Sequence, residues 1–151
     1  CQSFAATIKP QLFENYVKTG KVRVEYHYFP LAQHDPGATM TALAAECAAD
    51  QGMFWPYHDR VFQMTRSEQQ GAAQFDDLVG YAADMGMDQN QFRTCLSSQQ
   101  HRDTVSASLV QAQQMQLQFT PSVIVGDTLM QDYSYPSVSG EIERQLAQAA
   151  G

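Results

Sequence analysis

The chain has 151 residues, 44% of them hydrophobic, and carries 9 Lys+Arg against 16 Asp+Glu for a net charge of −7. That is enough apolar material for a substantial core with no composition break along it, and an acidic balance without a basic cluster argues against a nucleic-acid or anionic-lipid surface. Apolar stretches are interrupted well before the roughly 20 residues that a bilayer-spanning helix needs, and no charged start followed by an apolar block marks a secretion signal.

Cys1 opens a predicted helix from about Gln2 to Thr19, with Ala5, Ile8, Leu12 and Tyr16 at helical spacing and Gly20 past its end. A cysteine at a helix start faces unsatisfied N–H groups and the positive end of the helix dipole, which favour thiolate over thiol. Pro10 lies inside this helix and is expected to kink it. Next, Lys21 to Phe29 alternates Val22, Val24, Tyr26 and Tyr28 against Arg23, Glu25 and His27, the period of a half-buried strand that Pro30 ends. The same alternation puts Glu25 on the solvated face, although it could also approach a reactive thiol as a proton acceptor.

After a loop holding Pro36 and Gly37, five helices are predicted: Thr39 to Gln51, Met53 to Met64, Phe75 to Met85, Asp88 to Ser97 and Asp103 to Gln118. Gly52, a glutamine-rich loop through Gly71, and Gly86 separate the first four. Thr120-Pro121 then leads into Ser122-Val123-Ile124-Val125, and Gly126-Asp127 turns the chain back through Thr128-Leu129-Met130 as a hairpin. The last helix, from near Pro136 to Ala150, carries Val138, Ile142 and Leu146 on one face. A strand feeding the first helix is absent from this order.

Three cysteines make an odd count, most simply one pair and one leftover thiol. Cys47 and Cys95, each in an apparent helix, are the favoured pair, and closing the separation between them would stabilise by about 4 kcal/mol. Two buried free thiols are the alternative, and a disulfide would imply an oxidising compartment. His27, His34, His58 and His101 are scattered without an i, i+4 pair, so no metal site is expected. His58-Asp59 reads as packing and local hydrogen bonding, and the methionines as mostly core filling.

Four segments, spread over nearly the whole chain, resemble the DsbA-like thiol:disulfide oxidoreductases. Cys1-Gln2-Ser3-Phe4 with Ile8-Lys9-Pro10-Gln11-Leu12 resembles the second half of a Cys-x-x-Cys motif and its proline-containing helix. Gly20 through Leu31 resembles the following strand and its exit. Cys47-Ala48-Ala49-Asp50-Gln51-Gly52-Met53-Phe54-Trp55 through Phe62 is similar to the family's inserted helical domain, and Phe119-Thr120-Pro121-Ser122 to its cis-proline loop.

The resemblance implies an α/β chain: a thioredoxin-like fold formed by residues 1–31 and 119–151, with an all-helical domain inserted at 32–118. It implies a cis Thr120-Pro121 bond beside the active-site cysteines, and a Thr120 backbone that pairs with an extended substrate. Cys1 aligns with the resolving cysteine, so the first strand and the first motif cysteine are not in this sequence. The expectation is that the chain as given lacks its true start, rather than that Cys1 works alone.

The implied function is thiol:disulfide exchange with cysteine-containing protein substrates, with the oxidase, isomerase and reductase directions all open. No cofactor is expected, and a membrane-bound or soluble redox partner would reset the dithiol. The implied location is extracytoplasmic, periplasmic or exported, with tethering through a segment ahead of Cys1. Rival readings are a non-catalytic peptide-binding module, a DsbA-like glutathione-dependent transferase or isomerase with serine at the active position, and a lipoprotein with Cys1 as its lipid-bearing first residue. The last leaves the four matching segments unexplained.

Overall fold

Alanine, the strongest helix former, dominates Gly37–Ala49, and this run forms α2, which buries Ala42, Leu43, Ala44, Ala45, Cys47 and Ala48. The Asp35 carboxylate accepts the Thr39 N–H at 3.0 Å and the Thr39 hydroxyl at 2.7 Å where the helix begins. Its far end closes at Gly52, whose φ of 70° lets the Met53 N–H reach the Ala48 carbonyl at 2.9 Å. A computed structural model describes residues 1–67 and 73–151. The glutamine-rich loop expected through Gly71 lies outside the described residues.

The described chain divides into two compact units, one of residues 1–26 with 117–151 and the other of residues 27–116. In the second unit, α2 is followed by α3 (Phe54–Ser67), α4 (Phe75–Asp84), α5 (Gln89–Ser97) and α6 (Arg102–Gln114). Helix α4 starts on a capping box between Gln74 and Asp77, and α5 on the Asp88 carboxylate, which accepts the Gln91 N–H at 2.9 Å. Tyr57, Leu78, Val79 and Phe92 are fully buried in the core. The Tyr57 ring packs 5.4 Å from Phe92, and its hydroxyl donates to the Leu78 carbonyl at 2.9 Å, so burial leaves that oxygen satisfied. Met87 is buried here, and Met40, Met53, Met64 and Met85 pack against the same core, but Met115 is exposed. Helix α6 stops at Gln114, short of the expected Gln118, because Gln116 turns into the left-handed region at φ 55°.

In the first unit, the N-terminal helix adapts to its proline by changing pitch. A π turn at Phe4–Ile8 passes to α1 (Lys9–Leu12), then to a second π turn at Phe13–Val17. The Lys9 N–H reaches back five residues to the Phe4 carbonyl, so the wider turn sits directly before Pro10, which has no N–H to give. Leu12 and Tyr16 on this helix pack against Val138 and Ile142 of α7 (Tyr135–Ala149). Val22, Val123, Val125, Met130 and Leu146 join the edge of that core.

Strands β1 (Ile124–Val125) and β2 (Thr128–Leu129) form the expected hairpin, antiparallel, with Ile124 opposite Leu129 and Val125 opposite Thr128. They make the only sheet among the described residues. The expected strand from Lys21 to Phe29 is therefore corrected: it is not assigned as a strand. Its alternation persists as exposure only from Lys21 to Glu25, with Lys21, Arg23 and Glu25 exposed and Val22 and Val24 half-buried, and breaks at Tyr26, which is 41% exposed; Arg23 pairs with Glu25. A side-chain period describes one strand, whereas a sheet is a relation between two, and the described residues supply this segment no ladder.

The hairpin is tied to α7 by Gln145, whose Nε2 donates to the Val125 carbonyl at 2.7 Å, and by Glu141, which accepts from the Thr128 hydroxyl at 3.0 Å. The Arg144 guanidinium, then the Gln145 amide and the Thr128 hydroxyl, hold the Glu141 carboxyl down at about 2. A carboxylate depressed in the folded state contributes stability above its unfolded pKa and loses it as pH falls through the folded value. Glu141→Gln is accordingly expected to lower Tm at pH 7, with the deficit fading between pH 4.5 and about 2, as thermal melts across that range would record. Gly126 has φ 57°, and an added Cβ would meet Gln145 Oε1 at 2.2 Å. Gly126→Ala is expected to cost about 1–2 kcal/mol in urea unfolding through the left-handed backbone alone.

Candidate functional site

Cys1 stands outside the first helical turn: helix assignment begins at Gln2, and the Cys1 carbonyl accepts the Ala5 N–H at 2.9 Å. The sequence places Cys1 at the end of the helix where first-turn N–H groups lack intrahelical acceptors and the dipole favours an anion. Its thiol is free and exposed. A thiolate that forms there is open to attack or be attacked by an incoming sulfur.

The same end of the helix lines a pocket of about 480 Å³, to which Ser3, Phe4 and Ile8 contribute on one side and residues 131–134 on the other. Phe4 and Tyr133 meet edge-to-face at 6.4 Å, and Tyr133 is 38% exposed. The pocket thus presents aromatic surface beside a carboxylate. Asp132 accepts from the Ser137 hydroxyl and, at 2.8 Å each, from the Ser134 N–H and hydroxyl, and these bonds hold its carboxyl below the usual range. They also fix the loop that enters α7, since Ser134 precedes that helix.

Thr120 and Pro121 are half-buried in the loop entering β1 of the same unit, and the peptide bond between them is cis. Ser122 Oγ donates to the Phe119 carbonyl at 2.6 Å across this loop, and Phe119 is 44% exposed. Cys47 on α2 and Cys95 on α5 are joined as a disulfide, with Cα atoms 5.9 Å apart, in the core of the other unit. His58 is buried among Phe54, Trp55 and Phe62, with Nδ1 2.9 Å from Asp59 Oδ1.

One cluster was not legible in the sequence. Asp50 Oδ2 lies 2.7 Å from His101 Nε2, and Glu46 Oε2 lies 3.9 Å from the same ring's Nδ1. Asp50 and His101 are 51 residues apart, so no local spacing signals the pair. Only the Cys47–Cys95 pairing would have pointed to them, because it brings the end of α2 to the turn between α5 and α6.

The thioredoxin family pattern matches residues 1–144 of the chain. The chain belongs to the DsbA-like thioredoxin family. By class it is a protein-disulfide oxidoreductase. It is 26% identical over 148 residues to "Probable disulfide bond formation protein D" of Bacillus cereus, covering 97% of this chain and 68% of that protein. It is also 37% identical over 111 residues, 73% of this chain, to the Na(+)/H(+) antiporter NhaA of Herminiimonas arsenicoxydans, of which the match covers 17%. The oxidised crystal structure of BdbD from Bacillus subtilis superposes with a TM-score of 0.82 at 21% identity, covering 97% of this chain and 80% of that one. The fold of this DsbA-like chain is thus thioredoxin-like, mostly helical and with little sheet. No helix among the described residues is long and apolar enough to cross a membrane.

The disulfide closes a loop across a sequence separation of 48, which on the chain-entropy estimate limits the unfolded ensemble by about 4 kcal/mol. Replacing both partners, Cys47→Ser with Cys95→Ser, is expected to lower the unfolding free energy by about that amount in chemical denaturation.

Proposed function

We propose that this chain carries out thiol:disulfide exchange on cysteine-containing protein substrates through a Cys-x-x-Cys pair of which Cys1 is the second, resolving member. The observation that carries the reading is a free, exposed cysteine at the start of the N-terminal helix of a DsbA-like thioredoxin. In the family arrangement the first cysteine lies three residues ahead. Its thiolate attacks a substrate disulfide, forming a mixed disulfide and releasing one substrate thiolate. The Cys1 thiolate then attacks the enzyme sulfur of that bond, freeing the second substrate sulfur and leaving the enzyme pair oxidised. Electrons pass from sulfur to sulfur, so the exchange requires neither an organic cofactor nor a metal.

Residues 1–31 with 119–151 form the redox domain in this reading, and 32–118 the inserted domain. Thr120 and Pro121 hold the substrate: an extended peptide lies along the Thr120 backbone, as a strand adds to an open edge. The aromatic pocket at Phe4 and Tyr133 receives an apolar substrate side chain next to the reacting sulfur. The setting is extracytoplasmic, in keeping with the Cys47–Cys95 disulfide, since such bonds persist in oxidising compartments. A membrane-bound or soluble redox partner resets the dithiol.

The test uses the complete protein, including whatever precedes Cys1, whose intact mass and thiol count are recorded before and after reduction. Cys1→Ser is expected to abolish turnover in insulin reduction while accumulating a substrate mixed disulfide that added reductant releases. Undiminished turnover by Cys1→Ser, or a complete protein with no cysteine three residues ahead of Cys1, would overturn the assignment.

A further inference from the structure

The Asp50–His101 cluster lies against the structural disulfide, away from Cys1 in sequence and in the other unit of the chain. Three helices converge on it: Glu46 and Cys47 come from α2, which Asp50 ends, Cys95 comes from α5, and His101 precedes α6. The donor atoms of Asp50, Cys95 and His101 all lie within 4.8 Å of one another. Cys95 Sγ is 3.8 Å from Asp50 Oδ2, which is itself 2.7 Å from His101 Nε2. A tetrahedral zinc site with bonds of 2.0–2.3 Å needs donor–donor separations of roughly 3.3–3.7 Å, so these atoms are already close to the required spacing. While Cys95 is in its disulfide, its sulfur is not a thiolate and the set is incomplete.

We propose that reduction of the Cys47–Cys95 disulfide converts this cluster into a zinc site ligated by Asp50, Cys95 and His101, with solvent in the fourth position. A dithiol reductant supplies two electrons and two protons and becomes a disulfide, and the Cys47–Cys95 bond becomes two thiols. Zinc then replaces the Cys95 thiol proton, which leaves to solvent, and takes the neutral His101 imidazole through Nε2.

Two further features fit the assignment. The Glu46 carboxylate stands 3.9 Å from His101 Nδ1, the side opposite the metal, where its negative charge favours a cation bound through the ring. The His101 and Asp50 side chains are 17% and 33% exposed, against 2% and 4% for the two cysteines, so an ion has a way in from the carboxylate side. Without a cation, a Cys95 thiolate would face the Asp50 carboxylate, and the like charges would repel. Zinc removes that repulsion, and thiolate, imidazole and carboxylate together form a donor set suited to it.

The test uses the full chain carrying Cys1→Ser, so that the first thiol cannot contribute, titrated with zinc in oxidised form and after phosphine reduction. Equimolar zinc is expected to bind the reduced form at least about tenfold more tightly than the oxidised one, with His101→Gln removing that gain. Cobalt(II) should give a thiolate charge-transfer band with the reduced protein alone, removed by Cys95→Ser. Should reduction unfold the chain, zinc is expected to restore helical circular dichroism with His101 present and not with Gln in its place. Equal affinity in the two redox states, no thiolate band, or zinc binding indifferent to His101→Gln would overturn the proposal.

Discussion

The packing of Leu12 and Tyr16 against Val138 and Ile142 is the constraint on which the placement of Cys1 depends. In that unit the sheet is a hairpin of two short strands, so a ladder of backbone bonds cannot hold the N-terminal helix in place. Burying each of those side chains is worth about 1.5–3 kcal/mol against the cost of ordering the chain, and together they fix the helix that Cys1 opens. The hairpin depends on the same helix α7 through Gln145 and Glu141, so the loop carrying Thr120 and Pro121 and the helix carrying Cys1 share one support.

The adaptation at Pro10 shows how that support is kept. A proline inside a helix loses one backbone bond and crowds the turn before it. Here the adjoining turns widen to π geometry and the helix continues, which keeps Leu12 and Tyr16 facing α7. The sequence pointed to the proline as a disturbance. It led to the expectation of a kink and gave no sign of the π turns, which depend on what the far side of the helix must touch.

Helices in the second unit were legible because their signals are local: alanine content in α2, Gly52 after it, Asp88 before α5. The end of α6 was not, since Gln116 adopts a left-handed backbone without the glycine that normally announces one. The segment from Lys21 to Phe29 was legible as a face only as far as Glu25, beyond which the exposed Tyr26 breaks the alternation, and illegible as a sheet, since ladder partners are a property of other chain segments. Among the residues proposed for the site, Cys1 could be read from its type and its place at a helix start. Thr120 and Pro121 could be read only through the family resemblance, and Asp50 with His101 not at all.

The cysteines divide by where they sit on their helices. Cys47 and Cys95 both lie in the last turn of their helices, α2 and α5, so their side chains leave the helices sideways, toward a neighbouring helix, and each is nearly closed to solvent. Thiol exchange needs an attacking thiolate in line with a sulfur it can reach, and burial slows an external thiol's approach. Cys1 precedes the first turn and is exposed, so the same chemistry that burial slows at Cys47 and Cys95 is open to it. A redox enzyme can therefore hold a bond of the very kind it exchanges, because access, as much as bond type, sets which sulfurs react.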